Sequence, residues 1–217
     1  MKFSEYPHAA ELLNALTHGV GVIIFLVLVP LLIALAVNTK VPQKIWGAML
    51  FSFGLLAVYF SSTIFHAIPE KVSKDVLNYF DLLSIYLLIS GTYSPFLLIY
   101  FRNKLGKAIM VILWFITVVG ITSKLIVDQL PVFITLIIYI IMGWVGIIMI
   151  RPALRRIKPK VLWFILLGGL SYTAGTYFFY HDGEVYYYHA VWHIFVLVGS
   201  LLNYCAVLFA ILDKERN

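Results

Sequence analysis

Four groups of polar and ionisable residues lie inside long apolar stretches of this chain. In chain order they are Glu11, Asn14 and His18; Ser62 and His66; Asp81; and His189 and His193. Within each group the members are three, four or seven positions apart, so they share one face of a helix. Ionisable residues are costly in an apolar environment and usually mark a functional site.

The three later histidines have the composition of a catalytic metal site. His66, His189 and His193 supply three neutral imidazoles from two stretches, and a fourth coordination position stays open, as in catalytic rather than structural zinc sites. Imidazole also binds other transition metals, and zinc is the metal predicted here. Asp81 would orient the metal-bound water or act as its base, and Ser62 would donate a hydrogen bond to that water or to a developing oxyanion.

Each residue also has a purely structural interpretation. His66 could bond a neighbouring backbone or hydroxyl group, and Asp81 could pair with Lys71 or Lys74. The remaining group, Glu11, Asn14 and His18, is predicted to be a supporting polar network that ties the first helix to the second and seventh without touching the metal. His8 and His181 are assigned no role.

The composition identifies the solvent around these groups as lipid. Of 217 residues, 62% are hydrophobic and 12% are charged, against about 25% charged in soluble proteins. The net charge of +6 lies in short loops, so it indicates membrane topology and argues against nucleic-acid binding. Cys205 is the single cysteine, so no internal disulfide is expected, and the first twenty residues lack the pattern of a cleavable signal peptide.

Seven stretches are long and apolar enough to cross a membrane, which takes about 20 residues. They cover residues 14–37, 45–66, 78–101, 108–127, 131–150, 161–180 and 187–212. Every connection between them is short, so neighbouring helices must run antiparallel. The sequence therefore predicts an all-α integral membrane bundle of seven transmembrane helices, with residues 1–217 as a single domain.

In such an alternating bundle the four polar groups share one membrane depth. The first, third and seventh helices begin on the side where the second helix ends, and each group lies at that end of its helix. This convergence holds for either orientation of the protein, and it is the main reason for predicting one joint site.

The orientation follows from the positions of lysine and arginine. Four of them lie on the side of the N-terminus, namely Lys2, Lys71, Lys74 and Lys124. Twelve lie on the other side: Lys40, Lys44, Arg102, Lys104, Lys107, Arg151, Arg155, Arg156, Lys158, Lys160, Lys214 and Arg216. The count predicts a cell-membrane protein with its N-terminus outside and its C-terminus in the cytoplasm.

The order and spacing of these groups resemble the hemolysin III family. The pattern is Glu11-x2-Asn14-x3-His18, Ser62-x3-His66, Asp81 and His189-x3-His193, and it extends over essentially the whole chain. Hemolysin III proteins are the bacterial branch of the progestin and adipoQ receptor (PAQR) superfamily, which is also similar to the alkaline ceramidases.

The resemblance implies zinc bound by His66, His189 and His193, with Asp81 contacting the metal through water and Ser62 close by. It also implies hydrolysis of a lipid amide or a role in membrane homeostasis, with a membrane lipid as the partner. Receptor-branch proteins are described with the N-terminus inside, opposite to the charge count.

The sequence is compatible with several functions. The first is a zinc-dependent hydrolase of a membrane lipid amide. The second is a non-enzymatic membrane sensor or stress regulator with structural zinc, and the third is a hemolysin-type cytolytic membrane protein. A transporter is a fourth, although no inverted repeat of broken helices is evident. The lipid substrate and the oligomeric state do not follow from the sequence.

Overall fold

The computed structural model describes residues 8–68, 71–126 and 132–213, and within these ranges it contains helices and no strand. The helices are α1 (His8–Asn38), α2 (Pro42–Ala67), α3 (Lys71–Tyr100), α4 (Lys104–Ile126), α5 (Val132–Trp144), a 3-10 segment (Val145–Met149), α6 (Ile150–Arg156), α7 (Pro159–Tyr180) and α8 (Tyr188–Leu212). In this part of the chain seven helical segments are long and apolar enough to cross a membrane. The predicted all-α bundle of seven transmembrane helices is thereby confirmed.

Several helices begin earlier than the apolar stretches do. The first span begins at His8 rather than at residue 14, and the third helix at Lys71 rather than at residue 78. These additional turns carry polar side chains that bond to other helices, so the helices continue beyond the apolar run. Some residues of the predicted connections and termini lie outside the described residues, namely Lys2, Asp128, Pro131, Lys214 and Arg216.

The fifth span differs from the prediction of one continuous helix over 131–150. It contains α5, then the 3-10 segment, then α6 as far as Arg156. Pro152 has no backbone N–H to donate to residue 148, so a regular helix cannot continue unchanged into it. Tyr93 stabilises the interruption, because its hydroxyl donates to the Gly143 carbonyl at 2.5 Å and accepts from the Gly146 N–H at 3.1 Å.

Glycines bring α2 and α3 into direct backbone contact. A Cβ at Gly54 would lie 2.5 Å from the Leu87 carbonyl oxygen, and one at Gly91 would lie 2.7 Å from the Leu50 carbonyl oxygen. Small residues allow such close approach between transmembrane helices. The interface formed at Gly54 and Gly91, called here the seam between α2 and α3, packs the helix that carries His66 against the helix that carries Asp81.

Two further close contacts position α1 and α8. Gly21 of α1 faces the ring of Tyr59 on α2, and Gly199 of α8 faces the ring of Tyr172 on α7. In addition α1 packs against α8, and the Tyr204 hydroxyl donates to the Leu28 carbonyl at 2.8 Å. The first, second and last spans are therefore neighbours, and the contact between Gly21 and Tyr59 lies less than one helical turn from His18.

Candidate metal centre

Three histidines from two helices converge inside the bundle. His66 lies near the end of α2, and His189 and His193 lie one turn apart at the start of α8. One candidate ligand atom from each lies within 4.8 Å of the others, and the three side chains are buried. In the described part of the chain these histidines could hold a metal ion.

The first of these imidazoles is bonded to a carboxylate from α1. Nδ1 of His66 lies 2.6 Å from Oε2 of Glu11. Lys74, on α3, forms an ion pair with the other oxygen of the same carboxylate. The Glu11 carboxylate thus links α1 to both α2 and α3.

The second imidazole is bonded to a carboxylate from the connection between α7 and α8. Nδ1 of His189 lies 2.8 Å from Oδ2 of Asp182. Asp182 is only 1% exposed although it belongs to a turn. Burying a carboxylate costs free energy unless the group is hydrogen-bonded or paired. The bond to His189 therefore stabilises Asp182 in the interior, and it also orients the His189 ring.

The third imidazole is held by α1. Nδ1 of His193 lies 3.2 Å from the Asn14 carbonyl oxygen and 3.0 Å from the Thr17 hydroxyl. The Thr17 hydroxyl itself donates to the Asn14 carbonyl at 2.8 Å. Its oxygen can therefore accept a hydrogen bond from His193.

These bonds determine which nitrogen each ring would offer to a metal. Carboxylates and backbone carbonyls only accept hydrogen bonds, so in all three rings Nδ1 carries the proton. Nε2 then has the lone pair, and it is the atom that a metal would use. Nε2 of His66 is buried and has no hydrogen-bond partner among the described residues. This arrangement is the usual outer-sphere pattern of metal-binding histidines, so the residues fit a metal ion.

Ser62 and Asp81 lie beside the histidines on the wall of an internal cavity. The same cavity is lined by His189 and His193. Ser62 is buried, and its hydroxyl has no hydrogen-bond partner among the described residues. Asp81 is not one of the candidate metal ligands found among the described residues. The positions of Ser62 and Asp81 on the cavity wall would allow either side chain to contact a water or a substrate in the cavity.

The predicted supporting network occupies the same layer. The imidazole of His18 stacks on that of His193, with ring centroids 3.6 Å apart. The structure thus brings Glu11, Asn14 and His18 next to the three histidines, and His18 also lines the cavity. The Glu11 carboxylate accepts a hydrogen bond from Nδ1 of His66, and the Asn14 backbone carbonyl accepts one from Nδ1 of His193. The Asn14 side-chain amide has no hydrogen-bond partner among the described residues.

Sequence reasoning missed three residues that contact this site, namely Thr17, Lys74 and Asp182. Asp182 lies in the connection between the sixth and seventh predicted spans, where helical spacing makes no prediction. One sequence signal was present for Asp182. It lies seven residues before His189, and a turn of this length allows its carboxylate to contact the histidine pair. Lys74 and Thr17 have no comparable signal, since their partners are remote in the sequence.

The fold and the site define a multi-pass membrane protein with a buried cluster of histidines. Comparison with known proteins identifies its family. A family model described as haemolysin-III related matches residues 7–204. The chain belongs to this family, so the resemblance seen in the sequence is confirmed.

Relatives of this family come from bacteria and animals. The chain is 36% identical to the "Hemolysin-3 homolog" of Bacillus subtilis over 92% of this chain and 93% of the relative. It is 33% identical to "Hemolysin-3" of Bacillus cereus, over 93% and 92% respectively. A more distant relative is the human "Monocyte to macrophage differentiation factor", 27% identical over 93% of this chain and 83% of that protein. This animal relative supports membership of the PAQR superfamily.

Proposed function

We propose that the protein is a zinc-dependent hydrolase of a membrane lipid amide that takes part in membrane homeostasis. The observation that carries the proposal is the convergence of His66, His189 and His193 beside a cavity whose wall includes His189 and His193 together with Ser62 and Asp81. The rest of that wall is largely apolar, with residues such as Leu82, Ile85 and Ile89 from α3. An apolar cavity that continues from a polar centre suits an acyl chain joined to an amide.

The proposed reaction assigns separate tasks to the polar residues. His66, His189 and His193 would hold the zinc ion, which supplies Lewis acidity and an activated water. Asp81 accepts a proton from the attacking water and returns it to the amine nitrogen as the carbon–nitrogen bond breaks. Ser62 donates a hydrogen bond to the carbonyl oxygen as negative charge develops there. The products are a fatty acid and a free amine.

The activity is tested by fatty-acid release from a panel of ceramides and N-acyl lipids, with protein in nanodiscs. Asp81→Asn should retain zinc and lose activity by about 10²–10⁴-fold, as expected for loss of a general base. Asp75→Asn is the matched control, because it makes the same change at an exposed position of α3 and should leave release unchanged.

The other interpretations are outcomes of the same experiment. No release from any lipid of the panel, with zinc retained, would favour a membrane sensor or stress regulator with structural zinc. Leakage of dye from lipid vesicles at the same protein concentration, without hydrolysis, would favour the cytolytic interpretation.

We also propose that the N-terminus lies outside the cell and the C-terminus in the cytoplasm, as the distribution of lysine and arginine indicates. In a Cys205→Ala background, Lys158→Cys and Glu184→Cys place single thiols at exposed positions on opposite ends of α7. An impermeant maleimide applied to intact cells should label the thiol at 184 and not the one at 158. The reverse pattern would contradict this orientation and would leave the metal site unaffected.

A further inference from the structure

A second cavity lies at the end of the bundle remote from the histidines. Its volume is about 560 Å³. It is lined by Ile99, Tyr100, Arg102, Leu154, Arg155, Arg156, Ile157, Lys158, Pro159 and Asp213, and we call it the basic pocket. These residues come from the ends of α3, α6 and α8 and from the start of α7. Along α8, His189 and the end of the helix are about 35 Å apart at 1.5 Å per residue, so the two cavities are separate.

Positive charge dominates the lining. Among the described residues, the basic pocket has four cationic side chains and one carboxylate, that of Asp213. Lys158 forms an ion pair with this carboxylate, and the Tyr100 hydroxyl donates to its Oδ2 at 3.3 Å. The carboxylate is thereby neutralised inside the wall, and Arg155 and Arg156 add further positive charge to the cavity.

The wall also holds one arginine in place. Nη1 of Arg156 donates to the Tyr100 carbonyl at 3.1 Å, and its guanidinium lies over the Phe101 ring, 5.7 Å from the centroid. The guanidinium has five N–H donors in a planar fork, so this single bond does not exhaust its capacity. Arg155, next to it, is exposed.

The surroundings indicate an anion with an apolar part. The positive end of the α7 dipole points to this cavity, because α7 begins at Pro159 and its N-cap residue Lys158 makes no side-chain cap. Ile99, Leu154 and Ile157 supply apolar surface beside the arginines. Since the cavity lies at the end of membrane-spanning helices, this combination occurs at the depth of lipid head groups. Basic pockets between transmembrane helices bind anionic head groups.

We propose that the basic pocket binds the phosphate group of an anionic phospholipid. Arginine recognises phosphate through paired N–H donors, and the apolar wall would contact the glycerol and upper acyl region. The bound lipid would join α3, α6, α7 and α8 at one point. This site is independent of the metal centre and of the hydrolase proposal.

The experiment uses delipidated, full-length protein in a neutral detergent. Bound lipid is counted by native mass spectrometry during titration with phosphatidylglycerol or phosphatidylcholine, and inorganic phosphate is added as a competitor. The wild type should bind phosphatidylglycerol more tightly than phosphatidylcholine, with little competition from millimolar phosphate. The double variant Arg155→Gln with Arg156→Gln should bind phosphatidylglycerol about 30-fold more weakly.

The matched control is Lys104→Gln with Lys107→Gln. It removes the same charge from exposed positions of α4 at the same end of the bundle, outside the basic pocket. The control should retain wild-type affinity, and the thermal unfolding temperature in detergent should be equal in all three proteins as a test of folding. Equal losses in both double variants, or no loss in either, would overturn the proposal. If inorganic phosphate displaced phosphatidylglycerol as effectively as added lipid does, the proposal of a lipid ligand would be overturned. The basic pocket would then be a site for soluble phosphate.

Discussion

Asp182 and His189 are joined by a hydrogen bond of 2.8 Å between Oδ2 and Nδ1, and both side chains are buried. The aspartate lies in the turn before α8, and the histidine is the second residue of that helix. The turn therefore fixes the ring orientation of a candidate metal ligand. Glu11 has the same relationship to His66, at 2.6 Å.

Asp182→Asn should weaken zinc binding about 10–100-fold, the range seen when an outer-sphere partner of a metal ligand is changed. The amide keeps the shape of the side chain and removes the charge that favours the protonated Nδ1. Zinc affinity is measured by competition with a chromogenic chelator. Glu184→Gln, at an exposed position of the same turn, is the control and should bind zinc as the wild type does. Equal affinities in the two variants would show that Asp182 does not support the metal.

Glu11→Gln should weaken zinc binding to a similar extent and also reduce thermal stability. The change removes the anionic partner of both His66 and Lys74, and it leaves the ammonium group of Lys74 in a partly buried position. Adding Lys74→Gln to this variant should restore part of the lost stability and none of the lost zinc affinity. Recovery of zinc affinity in the double variant would contradict the assignment of Glu11 to His66.

Gly54→Ala should destabilise the protein by about 1–3 kcal/mol, the usual range for overpacking. The new methyl group would lie 2.5 Å from the Leu87 carbonyl oxygen, so α2 and α3 would have to separate. Gly169→Ala is the control, since a Cβ there meets nothing within 4 Å. Thermal unfolding in detergent compares the two, and equal unfolding temperatures would contradict the close seam between α2 and α3.

Much of the fold follows from the sequence because lipid imposes strong constraints. Spans must be long and apolar, and short connections force antiparallel neighbours, so the seven helices could be located and the four polar groups assigned to one depth. Pro152 is a sequence signal that a regular helix is disturbed near this point. The position of the interruption after Trp144 could not be predicted, because it also depends on the Tyr93 hydroxyl of α3 bonding to Gly143 and Gly146.

The site was only partly predictable for a similar reason. Helical spacing indicated that His189 and His193 share one face, and the alternation of helices brought His66 to them. The bonds from Asp182 and Thr17 depend on a turn conformation and on the rotation of α1 against α8. Neither of these is encoded in residue spacing.

We propose that His66, His189 and His193 bind one zinc ion per chain, and X-ray absorption at the zinc edge of purified protein measures this binding without an activity assay. The spectrum should show one zinc per chain with three nitrogen ligands at about 2.0–2.1 Å and an additional oxygen. The double change His189→Ala with His193→Ala should abolish this signal, and His181→Ala should preserve it, because that ring bonds only the Tyr177 carbonyl in the described structure. A zinc content unchanged by the double substitution, or a sulfur ligand in the spectrum, would show that these histidines do not bind the metal.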